Sequence, residues 1–244
     1  MRTKTVVVTG ASRGIGRATA LSFAEAGYNV AVNYYRSEEA ALSLKEELLK
    51  LGVKCEVYKA DVSVSEEVAL FISKVIGDFG VIDVLVNNVG VAGQKLFTDI
   101  TDEEWRSMVS VNLDSVFYCS RAVLPIMIRE KSGSIVNVSS VWGEVGASCE
   151  VHYSAAKAGV IGLTKALAKE VAPSGIAVNC IAPGVIATDM CSGFDDETMK
   201  MLKEEIPVGK IGSVEDIAKT IVYLATKSRY ITGQIIGVNG GMVI

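Results

Sequence analysis

The 244-residue sequence has little of what defines several specialised protein classes. It contains only 4 prolines, 1 histidine (His152) and 5 cysteines, and no two cysteines have C-x-x-C spacing. Together with a hydrophobic content of 50%, the scarcity of proline excludes a disordered or collagen-like chain. The isolated cysteines predict reduced thiols and no metal site. No apolar run reaches the roughly 18 residues of a membrane span.

An excess of positive charge is also missing. The 24 basic residues are outnumbered by 28 acidic ones, which gives a net charge of −4. Without a basic stripe, neither nucleic acid nor an anionic membrane is expected as a partner. Met1-Arg2-Thr3-Lys4 leads directly into the strand-like Val6-Val7-Val8, so no signal peptide is expected. We therefore predict a cytoplasmic protein.

The sequence alternates short β-branched runs with helical stretches along its whole length. Fully apolar runs such as Val84-Leu85-Val86 are typical of parallel strands that are covered on both faces. The pattern predicts an α/β fold in a single domain spanning residues 1–244, a Rossmann-type doubly wound sheet of seven parallel strands with helices on both faces. The irregular stretch Val185–Pro207 is expected to form a loop or short helices over a site. The predicted strands are Thr5–Thr9, Tyr28–Tyr34, Val53–Lys59, Ile82–Val86, Ser134–Ser139, Ile176–Ile181 and Gln234–Val238; the predicted helices are Ile15–Ala26, Glu38–Leu51, Glu66–Phe79, Asp102–Ile128, Val151–Val171 and Val214–Ala225.

Three glycines lie where the first strand meets the first helix, in the segment Thr9–Gly16. Glycines at this junction allow a tight turn and a close approach of the backbone, and the helix N-terminus then faces a pair of phosphates. An ordinary loop would not require three glycines at the start of a helix. The segment predicts a dinucleotide site with contacts from Gly10, Ser12, Arg13, Gly14, Ile15 and Gly16.

The end of the second strand indicates which dinucleotide binds. It reads Asn33-Tyr34-Tyr35-Arg36-Ser37, without the carboxylate that normally accepts the ribose hydroxyls of NAD. Tyr35 is placed at the cofactor, and Arg36 and Arg13 are positioned to pair with a 2′-phosphate, which predicts NADP(H). The alternative is that Arg36 is a solvated surface charge.

Two further strand ends complete the predicted cofactor site. Asp61-Val62 follows the third strand and would face the adenine, although Asp61 could equally cap the next turn. Asn88 and Gly90 follow the fourth strand, where small residues let the ribose and ring pass over the sheet edge.

Four polar residues form the predicted catalytic group. Tyr153 and Lys157 are four residues apart on one helix and therefore share a face. An ammonium beside a phenol favours the phenolate and lowers its pKa. Ser140 ends the fifth strand and can donate a hydrogen bond to the same oxygen, and Asn112 is a polar residue on the inward side of a long helix. Singly, Tyr153 could be an amphipathic residue at a helix start and Asn112 a structural amide; together they indicate a catalytic site. His152 points to a different face from Tyr153 and is expected to be a surface or rim residue.

These motifs, with Pro183-Gly184-x-x-x-Thr188, resemble the short-chain dehydrogenase/reductase family in order and spacing over essentially the whole chain. Tyr153–Gly159 and Tyr230–Gln234 are most similar to bacterial 3-oxoacyl-acyl-carrier-protein reductases. The resemblance implies NADPH-dependent reduction of a ketone, with further cofactor contacts from Pro183, Gly184, Ile186 and Thr188. It also implies a homotetramer.

The resemblance assigns a role to each catalytic residue. Tyr153 protonates the alkoxide, Lys157 binds the nicotinamide ribose and lowers the pKa of Tyr153, and Ser140 steadies the carbonyl oxygen. Asn112 holds a water that relays the proton.

The substrate is less closely defined. Carrier-protein reductases tend to present basic residues beside the site, where Arg129 and Lys131 remain, but Ser174 stands where a second basic group is often found. Glu144 and Glu150 would instead attract a cationic substrate, unless they are solvated loop charges. Residues 139–150 also resemble reductases of the 5-aminopentanone group on elongation factor P. A sugar or polyol dehydrogenase and a non-catalytic nucleotide-binding protein remain as further alternatives.

Overall fold

The structure is a computed structural model that describes residues 2–188, 196–228 and 230–244. Seven parallel strands form one sheet in the order β3-β2-β1-β4-β5-β6-β7, which confirms the predicted fold class. All seven predicted strands are present, with ends that differ by a few residues. They are β1 (Thr5–Val8), β2 (Asn29–Tyr34), β3 (Cys55–Lys59), β4 (Val84–Asn87), β5 (Gly133–Val138), β6 (Ile176–Pro183) and β7 (Ile235–Val238).

Nine α-helices are seen in the described part of the chain. The prediction placed six, and it missed the short α6 and drew the stretch from Asp102 as one helix. Of the irregular stretch predicted over 185–207, residues 189–195 lie outside the described residues, and a helix follows them. The helices are α1 (Gly14–Glu25), α2 (Glu38–Lys50), α3 (Ser65–Phe79), α4 (Asp102–Val109), α5 (Ser115–Glu130), α6 (Val141–Val145), α7 (Val151–Val171), α8 (Asp196–Glu205) and α9 (Val214–Thr226).

Helices cover both faces of the sheet because successive strand residues point to opposite sides. In β1, Val6 and Val8 belong to a buried cluster with Phe23 of α1, whereas Val7 belongs to a second cluster with Val123 of α5. The strands are therefore apolar along their whole length because both of their faces are buried.

The helical stretch Asp102–Glu130 meets the length and composition of a membrane-crossing helix. Its apolar residues are nevertheless used in packing, since Cys119, Val123 and Met127 are fully buried against the sheet. A π-helical turn, Ser110–Asp114, separates α4 from α5. Such turns are frequent at functional sites, and this one contains Asn112.

The strand order reverses between β1 and β4, because β1 continues to β2 on one side and the chain returns to β4 on the other. Open α/β sheets bind ligands at such a point, outside the carboxyl ends of the strands. The predicted site residues come from these ends, as described next.

Candidate active site

The predicted glycine turn lies between β1 and α1 at the carboxyl edge of the sheet. Gly10 and Gly14 have φ values of +60° and +55°, a region that favours glycine. Gly16 is needed for a different reason: a Cβ there would lie 2.4 Å from the Gly10 carbonyl oxygen and 2.6 Å from Asn88 Nδ2. The turn therefore packs directly against the first turn of α1, whose N–H groups lack intrahelical partners and suit a phosphate.

Replacing Gly16 by alanine is expected to displace this turn. We expect the Kd of the dinucleotide to rise more than tenfold, because the new methyl group meets the Gly10 backbone as well as the Asn88 amide, which is itself held by hydrogen bonds. Gly162→Ala is the matched control: Gly162 lies in α7 with open space around it, and alanine there should stabilise the helix by up to about 1 kcal/mol. Cofactor titration and thermal melts of both variants test this. An unchanged Kd for Gly16→Ala would contradict it.

The ends of β1 and β4 are joined by hydrogen bonds. The Thr9 hydroxyl accepts from the backbone N–H of Asn88 (2.9 Å) and of Val89 (3.3 Å). Asn88 Nδ2 donates to the Thr9 carbonyl (3.0 Å) and to the Gly10 carbonyl (3.2 Å). Asn88 thus lies at the glycine turn and fixes two of its carbonyl groups, while its predicted contact with the cofactor stays a prediction.

The ends of β2 and β3 form the next part of this edge. Tyr35 is 47% exposed, and the Arg36 guanidinium lies over its ring at 5.4 Å from the centroid. Val62 is buried. One of the two roles considered for Asp61 is present: its Oδ1 accepts from Ser63 N (3.0 Å) and Ser63 Oγ (2.6 Å), and so caps the following turn.

Residues that follow β6 approach the glycine turn from the other side. Pro183 ends the strand, and Gly184 N–H donates to the Val238 carbonyl at 3.1 Å. Ile186 is buried and forms a bridge with Gly212. A Cβ on Gly14 would lie 3.6 Å from Thr188 Cγ2, so Thr188 lies beside the glycine turn, where a cofactor contact is predicted for it.

Tyr153 and Lys157 both lie on α7 and are both buried, with exposed fractions of 7% and 3%. Lys157 Nζ lies 5.8 Å from the centroid of the Tyr153 ring and donates to the Val138 carbonyl at 3.0 Å. Lys157 is thus held between the tyrosine and the end of β5. The structure brings the predicted pair together.

Burial controls the ionisation of this pair. It raises the pKa of Tyr153 above its usual range, although the hydrogen bond with Ser140 lowers it; the Glu150 carboxylate raises it further. Burial also lowers the pKa of Lys157 to about 8. Burial therefore has the larger effect on the Tyr153 pKa in this structure, and the lowering expected from the Lys157 ammonium stays a prediction.

The two serines that follow β5 have different roles. Ser139 Oγ donates to the Lys157 carbonyl at 2.8 Å and so ties α7 to the strand. Ser140 begins α6, where its Oγ accepts from Trp142 N at 3.2 Å, and it also hydrogen-bonds the Tyr153 side chain. The serine that contacts the tyrosine is therefore Ser140, as the spacing predicted.

Asn112 is fully buried in the π-helical turn. Its Nδ2 donates to the carbonyls of Val91 and Met108, each at 3.0 Å, and its Oδ1 accepts from Val91 N at 3.2 Å. The side chain therefore fixes the loop after β4. Gly90 permits this approach, since a Cβ there would lie 2.9 Å from Asn112 Oδ1 and 3.0 Å from Lys157 Nζ.

The rim of the site differs from the sequence-based picture at His152. The sequence suggested a surface or rim residue, but His152 is 4% exposed, and its Nε2 would lie 3.6 Å from a Cβ on Gly93. The loop after β4 covers it, because Lys95 N donates to the Cys149 carbonyl (2.7 Å) and Gln94 Nε2 to Glu150 Oε1 (3.3 Å).

Arg129 and Lys131 do not lie beside this site within the chain. They precede β5, whereas Ser140 follows it, and a six-residue strand spans roughly 20 Å. Their placement at the opposite edge of the sheet corrects the expectation, which came from sequence resemblance alone.

Sequence reasoning also missed Asn33, which is 1% exposed at the end of β2. Its Oδ1 accepts from Gly10 N at 3.2 Å. The available signal was a polar residue in Asn29–Tyr34, a strand that is buried on both faces.

A glycine turn at the reversal point, beside a buried tyrosine, lysine and serine, defines an oxidoreductase that interconverts a carbonyl and a hydroxyl with a nicotinamide cofactor. The chain is similar to a family model described as enoyl-(acyl carrier protein) reductase, which matches residues 10–243. It is 47% identical over 241 residues to the 3-oxoacyl-acyl-carrier-protein reductase FabG of Staphylococcus aureus, with 98% of each chain covered.

Two further relatives agree. A 3-oxoacyl-acyl-carrier-protein reductase of Synechocystis is 44% identical, with 98% of this chain and 96% of that one covered. The crystal structure of a protein from Sinorhizobium meliloti, designated a short-chain alcohol dehydrogenase, matches with a TM-score of 0.94 and 36% identity over 99% of this chain and 97% of that one. The protein belongs to the short-chain dehydrogenase/reductase family.

Proposed function

We propose that the protein reduces the ketone of a 3-oxoacyl thioester carried on acyl carrier protein, with NADPH as the reductant. The observation that carries the proposal is the buried group of Ser140, Tyr153 and Lys157 beside the glycine turn. The relatives that are 43–47% identical over nearly their full length, and that bear the name of this activity, support the substrate class.

The chain's own residues supply the proton and the orientation. A bound reduced nicotinamide supplies the hydride to the carbonyl carbon. Tyr153 donates its proton to the carbonyl oxygen as negative charge develops there, and burial keeps that proton on the phenol until it is needed. Ser140 donates to the same oxygen and steadies it. Lys157 holds the ribose, and Asn112 keeps the loop after β4 in place and, by resemblance, holds the relay water.

The end of β2, where the adenosine half of the cofactor is expected to bind, suits NADPH. Arg36 stacks on Tyr35 and is exposed at the end of β2, and the sequence Asn33–Ser37 contains no carboxylate that would repel a 2′-phosphate. A planar guanidinium at this position can bind phosphate through two hydrogen bonds.

Arg36→Ala is expected to raise the KM for NADPH about tenfold and to change that for NADH less than about twofold. Arg106→Ala is the matched control, because Arg106 is exposed on α4 and pairs with Asp102 at 3.0 Å. Steady-state kinetics with both cofactors give the answer. Equal effects of Arg36→Ala on the two cofactors would show that Arg36 is only a surface charge.

The substrate is tested by following NADPH oxidation with a 3-oxoacyl thioester, free and on acyl carrier protein. Rapid turnover, greater with the carrier-bound form, is the expected result. Tight NADPH binding without turnover of either thioester would overturn the proposed substrate.

We expect the reaction to take place in the cytoplasm, in keeping with the free thiols of the described cysteines.

One observation favours a second candidate, the 5-aminopentanone group on elongation factor P. Glu150 begins α7 one turn before Tyr153, and it forms no ion pair with any residue that the structure describes. The Glu150 carboxylate accepts a hydrogen bond from the Gln94 amide. The neighbouring lysine, Lys95, is paired with Glu104 at 2.7 Å and so does not neutralise Glu150. A free carboxylate at this position suits an ammonium group on the substrate. Turnover of an aminoketone with no turnover of the thioesters would favour this candidate.

We further propose that the protein acts as a homotetramer. Large apolar side chains are exposed on α4 and α5 (Trp105, Phe117, Ile128) and near the C-terminus (Tyr230, Ile244). We take these side chains as the candidates for the contacts between subunits that the family resemblance implies. Light scattering should give four times the chain mass of 25.9 kDa. The mass of one chain would contradict the tetramer.

A further inference from the structure

Asn33 is a buried amide in a position that no catalytic or cofactor-contacting role explains. Its side chain lies where β1 ends: the last residue of β1 paired with β2 is Val8, opposite Val32. Beyond that pair the chain leaves the ladder, and each buried N–H that follows needs a new partner.

The Asn33 residue provides partners for two N–H groups in succession. Its Oδ1 accepts from Gly10 N at 3.2 Å, and its backbone carbonyl accepts from Ala11 N at 2.9 Å. Both N–H groups are thereby directed inward, toward the sheet. The chain then turns at Gly10 and enters α1 with its first N–H groups directed away from the sheet, toward the place where a phosphate pair would bind.

The other half of the amide is fixed from β3. Asn33 Nδ2 donates to the Ala60 carbonyl at 3.0 Å and lies 3.4 Å from the Tyr58 carbonyl. The side chain cannot rotate without leaving these carbonyls without a donor, inside a region that is 1% exposed at Asn33. Its acceptor oxygen is therefore held toward Gly10, and one amide links the ends of β1, β2 and β3.

We propose that Asn33 is the positioning residue for the glycine turn, and that it sets the affinity for nicotinamide dinucleotides without deciding between NADPH and NADH. A residue that lacks the acceptor leaves the half-buried Gly10 N–H without its partner, so the turn is expected to shift. The pyrophosphate is common to both cofactors, which is why both should be affected equally. The inference depends on cofactor binding and not on the identity of the ketone.

The test compares Asn33→Ala with Asn179→Ala. Asn179 is an equally buried amide in β6: it donates to the Ile231 carbonyl at 2.8 Å and accepts from Gln234 N at 3.1 Å, far from the glycine turn in the sheet order. Both variants are expected to lower the Tm. Only Asn33→Ala is expected to raise the Kd, about tenfold and equally for NADPH and NADH, with kcat at saturating cofactor within about twofold of the parent protein.

Asn33→Ser provides a milder change if the alanine variant does not fold, since its hydroxyl is too short to reach Gly10 N yet keeps the position polar. The same rise in Kd is expected for it. An unchanged Kd in a folded Asn33 variant would overturn the proposal, and so would an equal rise in Asn179→Ala. Because the readout is cofactor binding, failure to turn over a thioester would count against the proposed substrate and not against Asn33.

Discussion

Replacing Tyr153 by phenylalanine is expected to reduce kcat for ketone reduction about a thousandfold, because the variant has no proton to give to the developing alkoxide. The ring remains, so α7 should pack as before and the Kd of the cofactor should change less than about twofold. Discontinuous assays at high enzyme concentration measure the low kcat, and cofactor titration measures the Kd.

Tyr223→Phe is the control for the same chemical change at an exposed position on α9, and it should leave kcat unaltered. Turnover of the Tyr153 variant within a few-fold of the parent protein would show that Tyr153 is not the proton donor.

The pH profile of the parent protein provides a second test of this role. Since burial raises the pKa of Tyr153, the reduction rate of the parent protein should stay constant through neutral pH and fall only at alkaline pH.

Lys157→Met is expected to remove activity and to stabilise the folded protein. We expect kcat/KM to fall at least about a hundredfold, since the group proposed to hold the ribose beside Tyr153 is lost. At the same time burial disfavours the Lys157 charge and lowers its pKa from 10.5 to about 8. This pKa difference lowers the free energy of unfolding of the parent protein by roughly 3 kcal/mol below pH 8. The measured gain should be smaller, about 1–2 kcal/mol or a few degrees in Tm, because the Val138 carbonyl loses its donor.

The pH dependence of this gain has a definite sign. The folded-state pKa lies below the unfolded one, so the unfolded chain binds more protons between about pH 8 and 10.5, and the parent protein recovers stability as the pH rises through that window. The Tm advantage of Lys157→Met should therefore be largest below pH 8 and shrink toward pH 10.5. Lys165→Met, an exposed lysine on the same helix, should show neither effect. A lower Tm for Lys157→Met at pH 7 would contradict the argument.

The fold could be predicted because its signals are local. β-branched runs, helix-ending glycines and the glycine turn each lie within one element or one junction, and the strand ends then collect the site residues at one edge. The pairing of Tyr153 with Lys157 follows from helical spacing alone. What could not be predicted depends on contacts between distant segments: the burial of His152 under Gly93, the bonds from Asn112 to Val91, and the distance of Arg129 from Ser140.

The net direction of the Tyr153 pKa could not be predicted for a related reason. Sequence spacing identifies the nearby charge, but it does not measure how much water the fold removes from both groups. Burial is a property of the whole packed site, and it determines the ionisation of both members of the pair.

The loop after β4 is fixed at two points, by Asn112 at Val91 and by the Cys149 carbonyl at Lys95. Only residues 92–94 lie between these two points, at the rim of the site. Substitutions at these three residues are therefore expected to alter the surface beside His152 while both backbone anchors keep the rest of the loop in place. These three residues are where we expect related enzymes to differ in the substrate they accept, and where a directed library would be most productive.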